Sequence, residues 1–282
     1  MWIIYCILAI LILFFIYFLS KQKVAKMKKI ANMKKITNMK SVVILKSHVW
    51  NDNLGKFAQK IKNETSYHKI DFFIIIHSDD KFLLKMIPLS LKNNVLCVTT
   101  NIISNLYEVG FYNMWLSNHW ILMWFFKNYS NYDYYWSIEY DVRITGDSSK
   151  LWTYSGKEDF IYPIKTFQAK YWTWKDYYTG TLFQDKDKWY GYLQLARYSS
   201  KFLSFLDFHF LRNENGQDEL IIFTLLHYGK SLGILTGSER ILNSAIHDSW
   251  SVDANDSEKH KKYIVFRKNN KELAIYHPVK YN

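Results

Sequence analysis

Two carboxylates stand one residue apart at the end of an apolar run, in the segment WSIEYDVRITGD that covers residues 136–147. Side chains alternate between the two faces of a strand, so Glu139 and Asp141 are expected on the same face. Carboxylate oxygens suit Mg²⁺ and Mn²⁺, which proteins commonly hold through one or two carboxylates together with substrate phosphates. The pair is therefore a candidate metal site, and solvated acids at a strand end are the alternative interpretation.

A second acidic pair, Asp218 and Glu219, follows a glycine turn in the segment NENGQDELIIFTLLHYG. The apolar run after the pair predicts a buried helix, and acids in a first helical turn are favoured by the helix dipole alone. A carboxylate in this position can also act as a general base that takes the proton from a hydroxyl group. Asp218 is the first candidate for that role and Glu219 the second.

The segments around these residues predict strands that alternate with helices. The expected strands are apolar runs, SVVILKSH, KIDFFIIIHSDD, NNVLCVTT, YYWSIEYDVRI and DFIYPIKTF. Helices are expected in NDNLGKFAQKIKNET, capped by Asn51 or Asp52, in FYNMWLSNHWILMWFF, and in GYLQLARYSSKFLSFLDFHFL. The segment ENGQDELIIFTLLHYGKSLGIL predicts a turn, a buried helix and a strand. This pattern is typical of an α/β domain whose mostly parallel central sheet is flanked by helices.

Ligands of such a sheet bind beyond the carboxyl ends of its strands. His48 follows the first predicted strand, and Asp79 and Asp80 end the second. These three residues are candidates for ligand contacts, and capping of the next turn is the alternative for the two acids. No G-x-G-x-x-G and no G-K-S/T motif follows the first strand, which argues against classical dinucleotide and P-loop sites.

An aromatic loop, YWTWKDYYTG, carries Trp172, Trp174, Tyr177 and Tyr178 ahead of Gly180. Aromatic rings offer flat apolar surfaces on which a sugar ring can lie, and packing in the core is the alternative. Because the tryptophans cluster in a loop, we favour a wall of a ligand site.

The run Trp2–Leu19 is apolar and uncharged, and it predicts a transmembrane helix. As a helix it is about 27 Å long, close to the roughly 30 Å of a hydrocarbon core. Lysines follow it where a signal peptide would carry small residues for cleavage, so we expect an uncleaved anchor. The predicted organisation is an anchor at residues 1–20, a basic juxtamembrane spacer at 21–40 and one domain at 41–282.

The net charge of +12 is concentrated beside the anchor. Eight lysines lie in residues 21–40 and no acid lies in residues 1–40, so twelve less eight leaves +4 for the domain. This distribution suits anionic lipid headgroups and predicts no nucleic-acid partner. The two cysteines, Cys6 and Cys97, are not expected to pair, which excludes a disulfide framework and a cysteine-rich metal site.

Two motifs carry a resemblance to a known family. YYWSIEYDVRITGD resembles the D-x-D strand of the nucleotide-sugar glycosyltransferases of the A-type fold, with Glu in the first position. LAIYHPVK, residues 273–280, resembles the closing H-P-V-K segment of some membrane-anchored members. The order of elements over residues 41–280 agrees with that family. The resemblance implies an enzyme that uses Mn²⁺ or Mg²⁺ and moves a sugar from a UDP- or GDP-sugar to a hydroxyl of a glycan or lipid-linked acceptor.

The resemblance also implies roles for individual residues. Asp141 would bind the metal directly, His277 would be a further metal ligand, and Asp218 or Glu219 would be the base. Glu139 would contact the ribose or the metal, and the change from Asp leaves that role open. The residues expected to contact the nucleotide-sugar are His48, Asp79, Asp80, Glu139 and Lys280.

Two other functions compete with this one. A membrane-tethered carbohydrate-binding or scaffold domain without catalysis is the second hypothesis, because Glu139 in place of Asp permits a loss of activity. A metal-dependent phosphoesterase is the third. It would need several His and Asp ligands in separate motifs to hold two metals, and the nine histidines show no such grouping.

The side of the membrane on which the domain lies is a separate question. The positive-inside rule puts the lysines after the anchor, and the domain with them, on the cytoplasmic face. The resemblance to membrane-anchored Golgi enzymes implies the Golgi or ER lumen instead, and sequons at Asn63, Asn128 and Asn255 would permit glycosylation there. We expect the cytoplasmic face on physical grounds, with the lumen as the alternative.

Overall fold

The computed structural model describes residues 39–80, 82–247, 250 and 272–279. The predicted anchor lies outside these ranges, as does the predicted spacer apart from its last two residues. Within them, no helix is both long enough and apolar enough to cross a bilayer. The described residues from Lys40 onward belong to one compact unit.

Strands and helices of the described residues are named in chain order. The strands are β1 Ser41–Ser47, β2 Asp71–His77, β3 Val95–Val98, β4 Tyr134–Glu139, β5 Arg143–Thr145, β6 Phe160–Ile161, β7 Phe167–Gln168, β8 Trp189–Tyr190, β9 Leu195–Ser199, β10 Gly237–Ser238 and β11 Ala274–Tyr276. The α-helices are α1 Asp52–Tyr67, α2 Phe82–Lys85, α3 Leu89–Lys92, α4 Thr100–Ser104, α5 His119–Asn128, α6 Ser149–Trp152, α7 Ser200–Phe210, α8 Asp218–Ser231 and α9 Arg240–Asn243. Short 3₁₀ helices cover Ala169–Tyr171, Lys175–Tyr177 and Asp185–Asp187.

Seven of the strands form a central sheet in the order β10-β6-β9-β4-β1-β2-β3. Strand β1 is parallel to β4 and β2, β2 is parallel to β3, and β6 is parallel to β10. Within this sheet, β9 alone runs antiparallel to its neighbours β4 and β6. The fold is therefore mixed α/β with a mostly parallel central sheet, which confirms the predicted class. Outside the sheet, β5 pairs with β11 and β7 with β8, both antiparallel.

The central sheet is covered on both faces because its strands are apolar on both sides. In β1, Val42 and Ile44 pack into one buried cluster, whereas Val43 and Leu45 pack into the other. The first cluster contains side chains of α5, α7 and α8, and the second contains side chains of α1. Near-continuous burial explains why apolar runs alone predicted β1 and β2 correctly, and the edge strand β3, in which Cys97 is exposed, also has the short apolar run that was expected. Of the two residues expected to cap α1, Asn51 is the N-cap, and its side chain accepts a hydrogen bond from Leu54 N (2.9 Å).

The predicted fourth strand, YYWSIEYDVRI, is interrupted after Glu139. Val142 N donates to the carbonyl of Glu139 (3.1 Å) and closes a turn. The Arg143 guanidinium donates to the carbonyls of Tyr140 and Val142 and fixes that turn. Asp141 therefore lies in a turn and not on the strand, and the alternation argument that placed it beside Glu139 rested on a wrong premise.

The segment GYLQLARYSSKFLSFLDFHFL is helical only in its second half. Its first half contains β9, inserted between β4 and β6, and Ser199 then caps α7 by accepting from Phe202 N (3.0 Å). The prediction of a continuous helix was wrong because pairing with two neighbouring strands is a long-range interaction that a local apolar pattern does not report.

Three further elements differ from the prediction in extent. The helix expected from Phe111 begins only at His119. Asn113 Oδ1 accepts hydrogen bonds from the backbone N–H groups of Trp115 and Leu116, and these bonds hold a turn before the helix. The strand expected in DFIYPIKTF is divided into β6 and β7, which belong to different sheets. The strand expected at the end of the segment that closes at Leu235 does not form there, and the two-residue β10 follows at Gly237–Ser238.

Candidate active site

The carboxyl ends of β1, β2 and β4 lie at one edge of the central sheet because the three strands are parallel neighbours. Strand β4 ends in Glu139, and the turn that follows carries Asp141. The chain returns to this edge near its end, where β11 pairs with β5 and places His277 after the last paired residue. Val279 N then donates to the carbonyl of Asp141 (2.7 Å) and fixes the returning segment against the turn.

Glu139, Asp141 and His277 form one cluster. A ligand atom from each lies within 4.8 Å of the other two, and His277 Nε2 is 3.5 Å from Asp141 Oδ1. Asp141 and His277 are each 4% exposed. The two carboxylates match the preference of Mg²⁺ and Mn²⁺ for oxygen, and the imidazole nitrogen adds a donor that Mn²⁺ accepts more readily than Mg²⁺. The donor set therefore fits a divalent cation, and it joins Glu139 and Asp141 to a histidine at least 136 positions further along the sequence.

A buried lysine stands beside this cluster. Lys46, near the end of β1, is 6% exposed, and its Nζ lies 3.9 Å from Glu139 Oε1. Burial lowers the pKa of Lys46, and the charges of Glu139 and Asp218 oppose that shift. Asn118 Nδ2 also donates to Glu139 Oε1 (2.9 Å). Burial raises the pKa of Glu139, while the Lys46 charge opposes the rise.

The second acidic pair begins α8 at the same edge. Gln217 is the N-cap of α8: its side chain accepts from Leu220 N (2.9 Å) and donates to Asp218 Oδ1 (2.9 Å). Gln194 Nε2 donates to Glu219 Oε1 (3.2 Å). The pair is thus held by two glutamine side chains and the helix start, with Asp218 buried and Glu219 half-buried.

The two acids of α8 have raised pKa values. Burial raises the pKa of Asp218 to about 7, the Glu139 charge adds to this, and Lys46 opposes it. Burial likewise raises the pKa of Glu219 well above its ordinary range, with further contributions from Asp218 and Glu139. Both acids therefore lie close enough to Glu139 for its charge to raise their pKa values. A carboxyl pKa near neutrality suits a group that exchanges a proton during a reaction.

The raised pKa of Asp218 predicts how stability depends on pH. Because the folded chain holds the proton more tightly than the unfolded chain, the free energy of unfolding falls as pH rises from about 4 to about 7, and the cost is complete above that window. A shift from 3.8 to about 7 corresponds to at most about 4 kcal/mol.

We therefore expect Asp218→Asn to raise the melting temperature, and to raise it more at pH 8 than at pH 5. Asparagine keeps the acceptor for Gln217 but carries no charge. Thermal unfolding with EDTA present measures this. An unchanged or lower melting temperature at pH 8 would show that the carboxylate is not destabilised by its site.

The remaining predicted site residues lie at the same edge or outside the described ranges. His48 contacts Tyr140 edge to face, with ring centroids 4.6 Å apart. Asp79 accepts hydrogen bonds from the backbone N–H and the hydroxyl of Thr100 (3.0 and 2.8 Å), and Asp80 accepts one from Phe82 N (2.8 Å). Both acids are exposed and hold the starts of short helices. Lys280 is outside the residues that the structure describes.

Sequence reasoning missed four polar residues of this site, namely Lys46, Asn118, Gln194 and Gln217. Lys46 had a usable signal, because a single lysine inside the apolar run VVILKS cannot reach solvent from a central strand. The amides had none, since an Asn or Gln near an apolar segment is ordinary. Of the aromatic loop, Trp172 approaches the site: its Nε1 donates to Gln217 Oε1 (3.3 Å).

No protein-family model and no curated protein matches the sequence. Several solved structures are similar to the chain. A putative glucose-1-phosphate thymidylyltransferase from Bacillus anthracis, in complex with a sucrose, is 12% identical, with a TM-score of 0.46 over 83% of this chain and 96% of that chain. The galactosyltransferase LgtC, in complex with donor and acceptor sugar analogs, is 11% identical, with a TM-score of 0.46 over 84% of this chain and 87% of that chain. A glycosyltransferase involved in the glycosylation of the major capsid of PBCV-1 is 11% identical, with a TM-score of 0.32 over 62% of this chain and 68% of that chain.

Proposed function

We propose that this chain is a metal-dependent glycosyltransferase that moves a sugar from a UDP- or GDP-sugar to a hydroxyl of a glycan or lipid-linked acceptor. One observation carries the proposal: a cluster of two carboxylates and an imidazole lies at the same sheet edge as a buried acid whose pKa is raised to about 7. Such an edge offers, side by side, ligands for a cation and a group that can take a proton.

Asp141 and His277 are the proposed metal ligands, and Glu139 contacts the metal or the ribose. A bound Mn²⁺ or Mg²⁺ supplies charge neutralisation for the diphosphate leaving group. Lys46 balances the negative charge of Glu139 whether or not a substrate is present, because it is buried against that carboxylate. Lys280 is proposed to reach the diphosphate.

Asp218 is the proposed general base, with Glu219 as the alternative. With its pKa near 7, Asp218 is partly ionised at neutral pH and can accept the proton of an acceptor hydroxyl as that oxygen attacks the sugar. The hydrogen bond from Gln217 fixes the orientation of this carboxylate. His48, Asp79 and Asp80 are proposed to contact the nucleotide-sugar at the ends of β1 and β2.

Incubation of the full chain with UDP- and GDP-sugars and Mn²⁺ tests this function. We expect release of a nucleoside diphosphate from one donor class, and no release when EDTA is added. Sugar binding without any release would favour the carbohydrate-binding or scaffold domain. Release of inorganic phosphate from the nucleotide, with the sugar untransferred, would favour a phosphoesterase.

We further propose that the chain is a single-pass membrane protein whose domain faces the cytoplasm and acts on a membrane-bound acceptor. The support is the eight lysines after the apolar run, together with the positive-inside rule. Protease added to sealed vesicles from the expressing cells checks the orientation. A domain that is protected in the lumen, or that carries N-glycans, would place it on the Golgi or ER side.

A further inference from the structure

Four aromatic side chains from two distant segments meet at the surface. Trp115 is 65% exposed and packs edge to face on Trp174, with ring centroids 4.9 Å apart. Tyr177 lies 5.6 Å from Trp174 and 4.8 Å from Tyr112, which is 39% exposed. We call these four residues the aromatic platform. The loop motif pointed to only two of them, because Tyr112 and Trp115 are about sixty residues away in sequence.

The other aromatic residues of the loop have internal partners. Trp172 stacks on Tyr190, with ring centroids 4.1 Å apart and planes 11° apart. The Tyr178 hydroxyl donates to Glu214, which is itself 7% exposed. These two half-buried residues therefore have partners elsewhere in the chain, and neither is one of the four rings of the platform.

Hydrogen bonds fix the shape of the platform. The Tyr112 hydroxyl donates to the carbonyl of Tyr177 (2.7 Å) and joins the two segments. Glu214 also accepts from the backbone N–H groups of Thr181 and Leu182, and Thr179 N donates to the carbonyl of Asn215 (2.9 Å). Because these contacts are made within the chain itself, a ligand on the platform would not have to supply them, which favours affinity.

The two segments that carry the platform are hydrogen-bonded to the start of α8. Asp218 N donates to the carbonyl of Leu116 (2.9 Å), the residue directly after Trp115. Gln217 connects the same helix start to the loop, since it accepts from Trp172 Nε1 and donates to Asp218. Both segments of the platform are therefore hydrogen-bonded to the start of α8, where the proposed base lies, whereas the metal cluster is built from the end of β4, the turn after it and the segment after β11.

We infer that the aromatic platform is the acceptor subsite and that the acceptor is an oligosaccharide. This inference rests on the proposed glycosyl transfer, because the base must face the acceptor hydroxyl. The apolar faces of sugar rings pack on aromatic rings, and four contiguous rings offer more surface than one sugar covers. A glycan whose terminal hydroxyl lies at Asp218 would rest its next residues on Trp115 and Trp174.

Binding of the full chain to an array of neutral and charged oligosaccharides, two to six residues long, tests the inference. We expect one glycan class to bind, and Trp115→Ala and Trp174→Ala each to weaken that binding about ten-fold or more, whereas Trp115→Phe retains part of it. The matched control is Tyr171→Ala, an aromatic residue of the same loop that is 87% exposed and not part of the platform. Thermal unfolding verifies that each variant is folded.

The array contains no nucleotide-sugar donor, so glycan binding is measured without any sugar transfer. Its result therefore tests the acceptor subsite separately from the proposed glycosyltransferase activity. Absence of binding to every glycan, or equal binding by wild type and the two tryptophan variants, would overturn the subsite. Quenching of tryptophan fluorescence by brominated phosphatidylcholine that decreases in Trp115→Ala would assign the platform to a lipid surface and would equally overturn it.

Discussion

Replacing Asp141 by asparagine is expected to lower the rate of sugar transfer by about 10³-fold, or roughly 4 kcal/mol of transition-state stabilisation. Asparagine keeps the shape of the side chain, and the carbonyl that accepts from Val279 N is unaffected. The variant removes a negative charge and one ligand oxygen from the cluster with Glu139 and His277. Initial rates of nucleoside diphosphate release at saturating donor, with a range of Mn²⁺ concentrations, measure the loss.

Asp147→Asn is the matched control for this substitution. Asp147 is six residues further along, is exposed, and accepts from Ser149 N (3.0 Å) outside the cluster. Its replacement is expected to leave the rate within about two-fold of wild type, as is usual for surface positions. Equal rates for Asp141→Asn and Asp147→Asn would remove Asp141 from the metal site.

The second large effect is expected at the start of α8. Asp218→Asn should lower kcat by about 10² to 10⁴-fold, the usual contribution of a general base, with little change in the dissociation constant of the donor. The physical reason is that proton removal occurs in the transition state and not in the donor complex. Because the same variant is expected to be more stable at pH 8, a loss of activity could not be explained by unfolding.

Two further variants make the assignment specific. Glu219→Gln tests the neighbour, and if it is the damaging change, Glu219 is the base. Asp52→Asn is the control, because Asp52 is also an acid in the first turn of a helix but is exposed and has none of the proposed binding or catalytic roles. A loss of donor affinity equal to the loss of kcat in Asp218→Asn would contradict the base role and indicate a binding role.

The parts of the fold that could be predicted are those whose signal is local. Strands β1 and β2 are near-continuous apolar runs because both faces of the sheet are covered there, and α1 begins where Asn51 offers a cap. Strand β9 could not be predicted in this way. Its place in the sheet depends on pairing with β4 and β6, and its sequence continues directly into α7.

In the candidate site, too, the residues with a local sequence signal could be predicted and the others could not. Glu139, Asp141 and the acids of α8 could be selected from the sequence, because acids that end or begin apolar elements stand out there. Glu139 and Asp141 were expected to meet through strand alternation, and that expectation was wrong. A turn that Arg143 holds brings the two residues together. The amides around them, and the contribution of Trp115 to the platform, depend on contacts between distant segments and could be found only in the folded chain.

Electron paramagnetic resonance of Mn²⁺ added to the full chain, with UDP or GDP present, measures metal binding and tests the central claim most directly. The claim is that Asp141 and His277, beside Glu139, form a divalent cation site that works together with a nucleotide diphosphate. We predict that wild type and Asp147→Asn bind a single Mn²⁺ per chain and that Asp141→Asn loses this binding. No bound Mn²⁺ in wild type, or the same binding in Asp141→Asn, would contradict the account.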